Sequence, residues 1–270
     1  MSRYDSMFSR LDAVGEGAFI PFAMLGDPDP ATSRIVLEAL VAGGADALEL
    51  GIPFSDPVAD GPVIQAAAVR ALAAGVVLAD CWALIREVRA AHPTLPIGLL
   101  VYANLVAHRE IAGFYGEAAA AGVDSILVAD LPVAEAAPFQ EAARAAGIAP
   151  VFIAPPNASA ERLATIARAG AGYTYVVTRE GVTGTDTALK RDSTALLRQL
   201  HDLDAPPPVL GFGISHPDQV RHGLRMGARG VISGSAIVQR VAEHRDDPAG
   251  LRAELEGFVR SMKAATRPGS

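Results

Sequence analysis

The chain has 270 residues, half of them hydrophobic, with a formal net charge of −7 and a single cysteine, Cys81. The negative charge gives no electrostatic basis for nucleic-acid binding, and one cysteine excludes an internal disulfide framework and suits a reducing compartment. Neither a signal-peptide pattern nor a run of roughly 18 apolar residues occurs, so we expect a soluble, cytoplasmic protein.

Short apolar or β-branched runs alternate along the chain with longer segments of helical periodicity. An amphipathic segment, 7–14, predicts an extra helix that precedes the first strand and covers the bottom of a barrel. The predicted strands are 18–24, 47–50, 97–102, 125–128, 149–153, 173–177, 208–212 and 230–232. The predicted helices include 31–42, 78–91, 111–121, 134–146, 159–169, 193–200, 217–226 and 235–242.

Eight alternations of strand and helix indicate an α/β fold, and the continuously apolar strands indicate a parallel sheet covered by helices. At this length a closed (β/α)₈ TIM barrel is the first choice, and an open doubly wound sheet is the alternative because periodicity does not reveal closure. No linker is visible, so we expect one domain over residues 1–270, with a frayed tail at 264–270.

Two carboxylates in contrasting settings stand at the second predicted strand and just beyond it. Glu49 lies inside an apolar run, whereas Asp60 follows in a loop rich in proline and glycine. Burial raises the pKa of a carboxyl group, and a polar loop keeps one ionised, so the two groups could divide acid and charge-holding roles. In a barrel, strand ends that lead into the following loops carry the chemistry, which favours Glu49 as a catalytic group.

Small residues follow the seventh and eighth predicted strands, at 211–215 and at 233–236. Such loops let backbone N–H groups approach an anion, and a helix that begins near Ser235 would point its positive end there. The alternative is ordinary turn glycine with a serine N-cap, but the joint placement of the two segments favours phosphate binding.

The segment 179–186 contains two glycines and is long enough to form a lid over a bound substrate, although an inert surface loop is the alternative. Apolar strand residues could line a pocket or simply pack in the core; these are Phe22, Leu100, Leu127, Phe212 and Ile232. No histidines have metal-ligand spacing, so no metal site is expected, and Gly-x-Ser-x-Gly is absent.

The segment from Leu48 to Gly61 resembles the signature of the tryptophan synthase alpha subunit family. The likeness continues through Asn104 and the segments 129–132, 179–184, 211–214 and 233–236, so it covers nearly the whole domain. The resemblance implies a TIM-barrel lyase that cleaves indole-3-glycerol phosphate to indole and glyceraldehyde 3-phosphate by a retro-aldol step.

The resemblance also implies the roles of individual residues. Glu49 would move protons, protonating the indole C3 and deprotonating the glycerol hydroxyl, while an ionised Asp60 would hold the indole N–H. Thr183 would orient Asp60, and Tyr175 would lie within hydrogen-bond range of Glu49. The remaining expected substrate contacts are Phe22, Leu100, Leu127 and Phe212 around the indole, Tyr102 and Tyr175 at the border of the site, and Gly184, Gly213, Gly234 and Ser235 around the phosphate.

The family implies a partner as well, a beta subunit that carries pyridoxal phosphate and receives indole within an α₂β₂ heterotetramer that couples the two sites. No cofactor is then expected on this chain. The loop with Pro53, Asp56 and Pro57 would face the beta subunit, with Asp56 as a candidate for an ion pair. The alternatives are a non-catalytic subunit that only activates a beta partner, a free-standing indole-3-glycerol phosphate lyase, and a different phosphate-binding barrel.

Overall fold

Eight parallel strands pair in chain order, and the first also pairs with the last, so the sheet closes into a barrel. The computed structural model describes residues 1–177, 194–211 and 213–269. The strands are β1 Ala18–Met24, β2 Leu48–Gly51, β3 Ile97–Val101, β4 Ser125–Val128, β5 Ala149–Ala154, β6 Thr174–Val177, β7 Pro208–Gly211 and β8 Gly230–Ser233. The predicted closed barrel is confirmed over the open sheet, and every predicted strand is present.

Helices surround the barrel, and a helix follows each strand along the chain within the described residues. They are α1 Arg3–Ala13, α2 Pro30–Ala42, α3 Pro62–Ala73, α4 Leu78–Ala91, α5 Ala103–Ala107, α6 Ile111–Ala121, α7 Ala137–Ala146, α8 Ala160–Ala169, α9 Thr194–Asp202, α10 Pro217–Arg225, α11 Ser235–Glu243 and α12 Pro248–Ala264. Taken singly, no described helix is long and apolar enough to span a membrane; α3 and α4 pass that test only together, as a pair bent by 106°.

The first helix closes the N-terminal end of the barrel, as predicted. It begins earlier than expected, at Arg3, because the Ser2 side chain caps it and accepts a hydrogen bond from the Asp5 amide. The Tyr4 ring enters the barrel interior, where its hydroxyl lies 2.9 Å from Oγ of Ser125, the first residue of β4. The helix is therefore anchored to the strands and is part of the core.

The C-terminal residues correct one expectation. A frayed tail was predicted from residue 264, but Ala265 and Thr266 are both only 2% exposed. The carbonyl of Thr266 accepts a hydrogen bond from the Gly17 amide just before β1, which fastens the chain after α12 to the bottom of the barrel. Ala264 and the residues 267–269 are exposed.

Candidate active site

A cavity of about 260 Å³ opens at the C-terminal mouth of the barrel. Its walls combine carboxylates, apolar strand side chains and the small residues that follow β7 and β8. The lining residues are Phe22, Glu49, Asp60, Ile64, Leu100, Tyr175, Gly213, Ile214, Ser215, Ile232, Gly234, Ser235, Ala236, Gln239 and Arg240. The structure thus brings together, in one cavity, both predicted carboxylates and both predicted phosphate loops.

Glu49 projects into this cavity from β2, where its neighbours across the ladders are Phe22 of β1 and Gly98 of β3. The residue is 1% exposed, and its Oε1 accepts a 2.6 Å hydrogen bond from the Tyr173 hydroxyl. Burial raises the pKa of Glu49 to about 7; the Tyr173 hydrogen bond opposes this rise and the nearby Asp60 charge adds to it. The expected upward shift of the Glu49 pKa is confirmed.

Tyr173, which the sequence analysis did not single out, provides the hydroxyl that contacts Glu49. The resemblance had placed Tyr175 within reach of Glu49, and Tyr175 does line the cavity. Tyr173 and Tyr175 are two residues apart at β6, and alternate residues of a strand face the same side, so both side chains face the barrel interior. The same alternation in the sequence could have identified Tyr173 as a second residue of the site. A Cβ on Gly211 would collide with the Tyr175 ring, so glycine there makes room for the tyrosine.

Asp60 lies in the loop between β2 and α3 and is held by Tyr102. The Tyr102 hydroxyl hydrogen-bonds the Asp60 carboxylate and accepts a 3.2 Å hydrogen bond from the Ala59 amide. The ring of Phe54 stacks on that of Tyr102 with centroids 5.5 Å apart. Burial raises the pKa of Asp60 to about 6, against the hydrogen bond from Tyr102. The sequence led us to expect that the polar loop keeps Asp60 charged, and a pKa of about 6 still leaves the group mainly ionised at pH 7; its upward shift, caused by burial, was not expected.

The apolar side chains divide into two levels. Phe22, Leu100 and Ile232 line the cavity, whereas Leu127 is 1% exposed and packs in the buried cluster beneath it with Phe22 and Tyr175. Leu127 therefore does not line the cavity in this structure. Three further predicted contacts, Thr183, Gly184 and Phe212, lie outside the described residues.

The small residues after β7 and β8 form another wall. Gly213 has a φ of +75°, a conformation that favours glycine, and it has open space where a Cβ would be. Gly234 caps α11, and Ser235 and Ala236 are the first residues of that helix, so its positive end meets the cavity. Such a wall suits a phosphate group or another anion.

The predicted partner residues differ in exposure. Asp56 is exposed and Pro57 is half-buried, but Pro53 is buried within the chain. A buried proline offers little surface to another protein, so Pro53 leaves the set of expected contacts. Within the part of the chain that the structure describes, no group of three or more His, Cys, Asp or Glu side chains could hold a metal ion.

A closed (β/α)₈ barrel, whose mouth holds two carboxylates of raised pKa beside loops that suit an anion, is typical of an acid–base enzyme of the TIM-barrel class. A family model described as the tryptophan synthase alpha chain matches residues 8–267. This chain belongs to that family and is a lyase, so the predicted family and enzyme class are confirmed.

Similar proteins agree over nearly the full length. The tryptophan synthase alpha chain of Shewanella oneidensis is 56% identical over 265 residues, 98% of this chain and 95% of that one. The crystal structure of tryptophan synthase subunit alpha from Legionella pneumophila has a TM-score of 0.88 and 31% identity, covering 98% of each chain. A chain of the Pyrococcus furiosus tryptophan synthase α₂β₂ complex has a TM-score of 0.85 and 38% identity, covering 93% of this chain and 99% of that one.

Proposed function

We propose that this chain is the alpha subunit of a tryptophan synthase and cleaves indole-3-glycerol phosphate to indole and glyceraldehyde 3-phosphate. The observation that carries the proposal is a fully buried Glu49, with a pKa of about 7, in a cavity that also holds Asp60 and the N-terminus of α11. These are the three chemical groups that the reaction needs: a proton shuttle, an anionic partner for the indole nitrogen and a phosphate site.

Glu49 is the proposed proton shuttle. With a pKa near the operating pH, it can protonate the indole C3 and also accept the proton of the hydroxyl group next to the bond that breaks. Protonation of C3 places positive charge on the ring nitrogen. Loss of the hydroxyl proton forms the aldehyde as the C–C bond breaks, and its electron pair returns to the ring. The Tyr173 hydrogen bond to Oε1 orients the carboxyl group.

Asp60 is the proposed partner of the indole N–H. A carboxylate beside that nitrogen stabilises the positive charge that develops when C3 is protonated, which is a transition-state interaction. Its pKa of about 6 leaves it mainly ionised above neutral pH. Tyr102 holds the Asp60 carboxylate by a hydrogen bond, and Thr183, which lies outside the described residues, is proposed to orient it as well.

The remaining substrate contacts follow the two walls of the cavity. The indole ring is proposed to lie against Phe22, Leu100 and Tyr175, supported by Leu127 and by Phe212. The phosphate is proposed to bind backbone N–H groups at Gly184, Gly213, Gly234 and Ser235. The positive end of α11 supports this orientation of the substrate, because it favours a negative group.

The proposed partner is a beta subunit that carries pyridoxal phosphate and joins the released indole to serine, giving L-tryptophan. The Pyrococcus furiosus relative, which comes from an α₂β₂ complex, supports this partner. Asp56 and Pro57 on the exposed part of the β2 loop are proposed to face it. This chain itself is proposed to hold no cofactor and to work in the cytoplasm.

Indole release from indole-3-glycerol phosphate tests the proposal, measured with and without a beta subunit. We expect Glu49→Gln to reduce turnover at least a thousandfold while substrate still binds, because the amide cannot exchange protons. The control Glu141→Gln changes an exposed glutamate of α7 and should keep full activity. Near-normal turnover by Glu49→Gln would refute the assignment, and wild-type protein inactive under both conditions would favour the non-catalytic subunit.

A further inference from the structure

Ser233, the last residue of β8, has a buried hydroxyl group that no step of the proposed reaction uses. The residue is 0% exposed, and its Oγ donates a 2.6 Å hydrogen bond to the carbonyl oxygen of Ile214. Ile214 belongs to the loop after β7, and Ser233 directly precedes Gly234 and Ser235. The bond therefore joins the two loops that form the phosphate wall of the cavity.

This bond lies beyond the end of the backbone ladder between the two strands. The parallel register of β7 and β8 ends at Leu210↔Val231, and Ser233 is two residues further along. Past a ladder's end, neighbouring segments are no longer held at a fixed spacing by main-chain hydrogen bonds. The Ser233 side chain restores such a link where the loops begin.

The peptide group between Ile214 and Ser215 is held from both sides. Its carbonyl accepts from Ser233, and its N–H donates a 2.8 Å hydrogen bond to Oε1 of Gln219, which also accepts from the His216 amide at 2.9 Å. Because a peptide group is planar, these two bonds fix its rotation. The carbonyl oxygen is thereby occupied, so it is not turned toward an anion in the cavity next to Gly213.

We propose that Ser233 is a positioning residue for the substrate phosphate. Its hydroxyl holds the segment 213–215 at a fixed distance from Gly234 and Ser235, so that N–H groups of both loops converge on one phosphate. The inference rests on the function proposed above, because it assigns that phosphate to this wall. Loss of the hydroxyl weakens ground-state and transition-state binding of the phosphate alike, which raises KM and leaves kcat nearly unchanged.

A buried serine that serves only the core would behave differently. Its loss would reduce stability and would affect substrates with and without phosphate equally. Thr174 provides a matched control, because its buried hydroxyl donates a 2.9 Å hydrogen bond to the carbonyl of Pro206 at the other end of the neighbouring strand pair, β6 and β7. Thr174→Val removes one hydroxyl-to-carbonyl bond there, away from the phosphate wall.

The experiment compares the wild type, Ser233→Ala and Thr174→Val on indole-3-glycerol phosphate and on its dephosphorylated analogue, indole-3-glycerol. For Ser233→Ala we expect KM for the phosphorylated substrate to rise about tenfold, with kcat within twofold and unchanged kcat/KM for the analogue. The Kd for glycerol 3-phosphate, measured by calorimetry, should rise about tenfold as well. Thr174→Val should change neither the Kd nor the preference between the two substrates.

Gln219→Met is the second variant, because it removes the hydrogen bond on the other side of the same peptide group, the one from the Ser215 N–H to Oε1 of Gln219. Gln219 is half-buried at the surface, so its replacement should disturb the fold less than a change at Ser233. We expect a smaller rise in the glycerol 3-phosphate Kd, about threefold, and it decides the question if Ser233→Ala does not fold. Equal losses on both substrates, or an unchanged Kd in both variants, would overturn the role of Ser233. If the wild type cleaves neither substrate, the proposed function fails, and the glycerol 3-phosphate Kd still decides whether Ser233 positions the anion site.

Discussion

Asp124 and Glu49, which lie at opposite ends of the barrel, are held in different ways. At the N-terminal end, Asp124 accepts hydrogen bonds from Arg3 at 2.8 Å and from Arg89 at 2.6 Å. At the C-terminal mouth, Glu49 accepts one from the neutral hydroxyl of Tyr173. Over residues 1–177, 194–211 and 213–269, neither Glu49 nor Asp60 has an ion-pair partner.

The charges at the N-terminal end hold the strands together. Asp124 also accepts a 2.8 Å hydrogen bond from the amide of Ile97, the first residue of β3. In the same way Asp46 accepts from the Phe19 amide and pairs with Arg10 and Lys263. Each carboxylate thus ties a strand entry to a neighbouring element, with cations offsetting the cost of its burial.

For Glu49 and Asp60 that compensation is missing within the described residues, and the consequence is chemical. Burial without a cation raises the pKa of Glu49 to about 7 and that of Asp60 to about 6, where both groups can respond near neutral pH. In TIM barrels the N-terminal end generally serves stability and the C-terminal end serves catalysis. Asp124 serves the first purpose with two arginines beside it, whereas Glu49 and Asp60 are proposed to serve the second and have no cation beside them among the described residues.

Replacing Asp60 by Asn tests the mouth side of the comparison and should lower the activity strongly. The change keeps the shape and removes the charge that faces the developing positive charge of the indole, so we expect kcat/KM to fall by 10²–10³, about 3–4 kcal/mol. Steady-state indole release measures the loss. A fall below threefold would mean that Asp60 does not stabilise the transition state.

The corresponding change at the other end, Asp124→Asn, should lower stability and spare catalysis. Removing one charge leaves the partly buried Arg89 without its partner, so we expect a loss of about 3 kcal/mol in the free energy of unfolding. Urea unfolding measures it, and kcat of the folded protein should be unchanged. As a control, Asp218→Asn removes the exposed pair with Arg221 and should show no measurable change. If Asp124→Asn, like Asp218→Asn, left the free energy of unfolding unchanged, the proposed difference between Asp124 and the carboxylates at the mouth would be wrong.

Whereas Asp124→Asn should destabilise the protein, Glu49→Gln should stabilise it at alkaline pH. The folded-state pKa of Glu49, about 7, lies above its ordinary value of 4.5, so the folded protein binds this proton more tightly than the unfolded chain. The stability from that proton is complete below pH 4.5 and is lost as pH rises toward 7. We expect the variant to be more stable than the wild type by about 3 kcal/mol at pH 8 and equal to it at pH 4. Urea titrations at both pH values decide the matter, and a variant less stable at pH 8 would contradict it.

Tyr102→Phe should give the smallest effect. The Tyr102 hydrogen bond lowers the pKa of Asp60, so its loss should move the acid limb of the kcat/KM profile to higher pH. At pH 6 we expect a reduction of several-fold, about 1 kcal/mol, and less at pH 8. Tyr115→Phe, on a buried tyrosine of α6, should leave the profile unchanged. An unshifted acid limb in Tyr102→Phe would remove Tyr102 from the account.

Local sequence pattern was sufficient for much of the fold. Apolar runs located all eight strands to within one residue, because parallel strands buried on both faces are continuously hydrophobic. The long helix α12 was not predicted, although Leu251, Leu255, Phe258 and Met262 recur at helical spacing along its buried face. Helix α12 comes after β8 and α11, so it lies outside the alternation of strand and helix on which the prediction depended. Because α12 packs on the barrel, Ala265 and Thr266, which directly follow it, are buried.

The site was predictable where one segment determines it and less so where distant segments meet. Glu49 and Asp60 stand in a single stretch of sequence, and both line the cavity. By contrast, the Tyr173 hydroxyl reaches Glu49 from the opposite side of the barrel, 124 residues along the chain. The burial of Asp60 likewise depends on Tyr102, which comes from the neighbouring strand end. Such contacts arise from closure of the barrel, which periodicity does not reveal.

The pKa of Glu49 in the folded protein can be measured directly. The protonated-carboxyl infrared band that is present in the wild type and absent from Glu49→Gln can be followed as a function of pH. Because Glu49 is buried without a cation, we predict that the band disappears with a midpoint near pH 7. A midpoint near 4.5, the ordinary value for glutamate, would contradict the account.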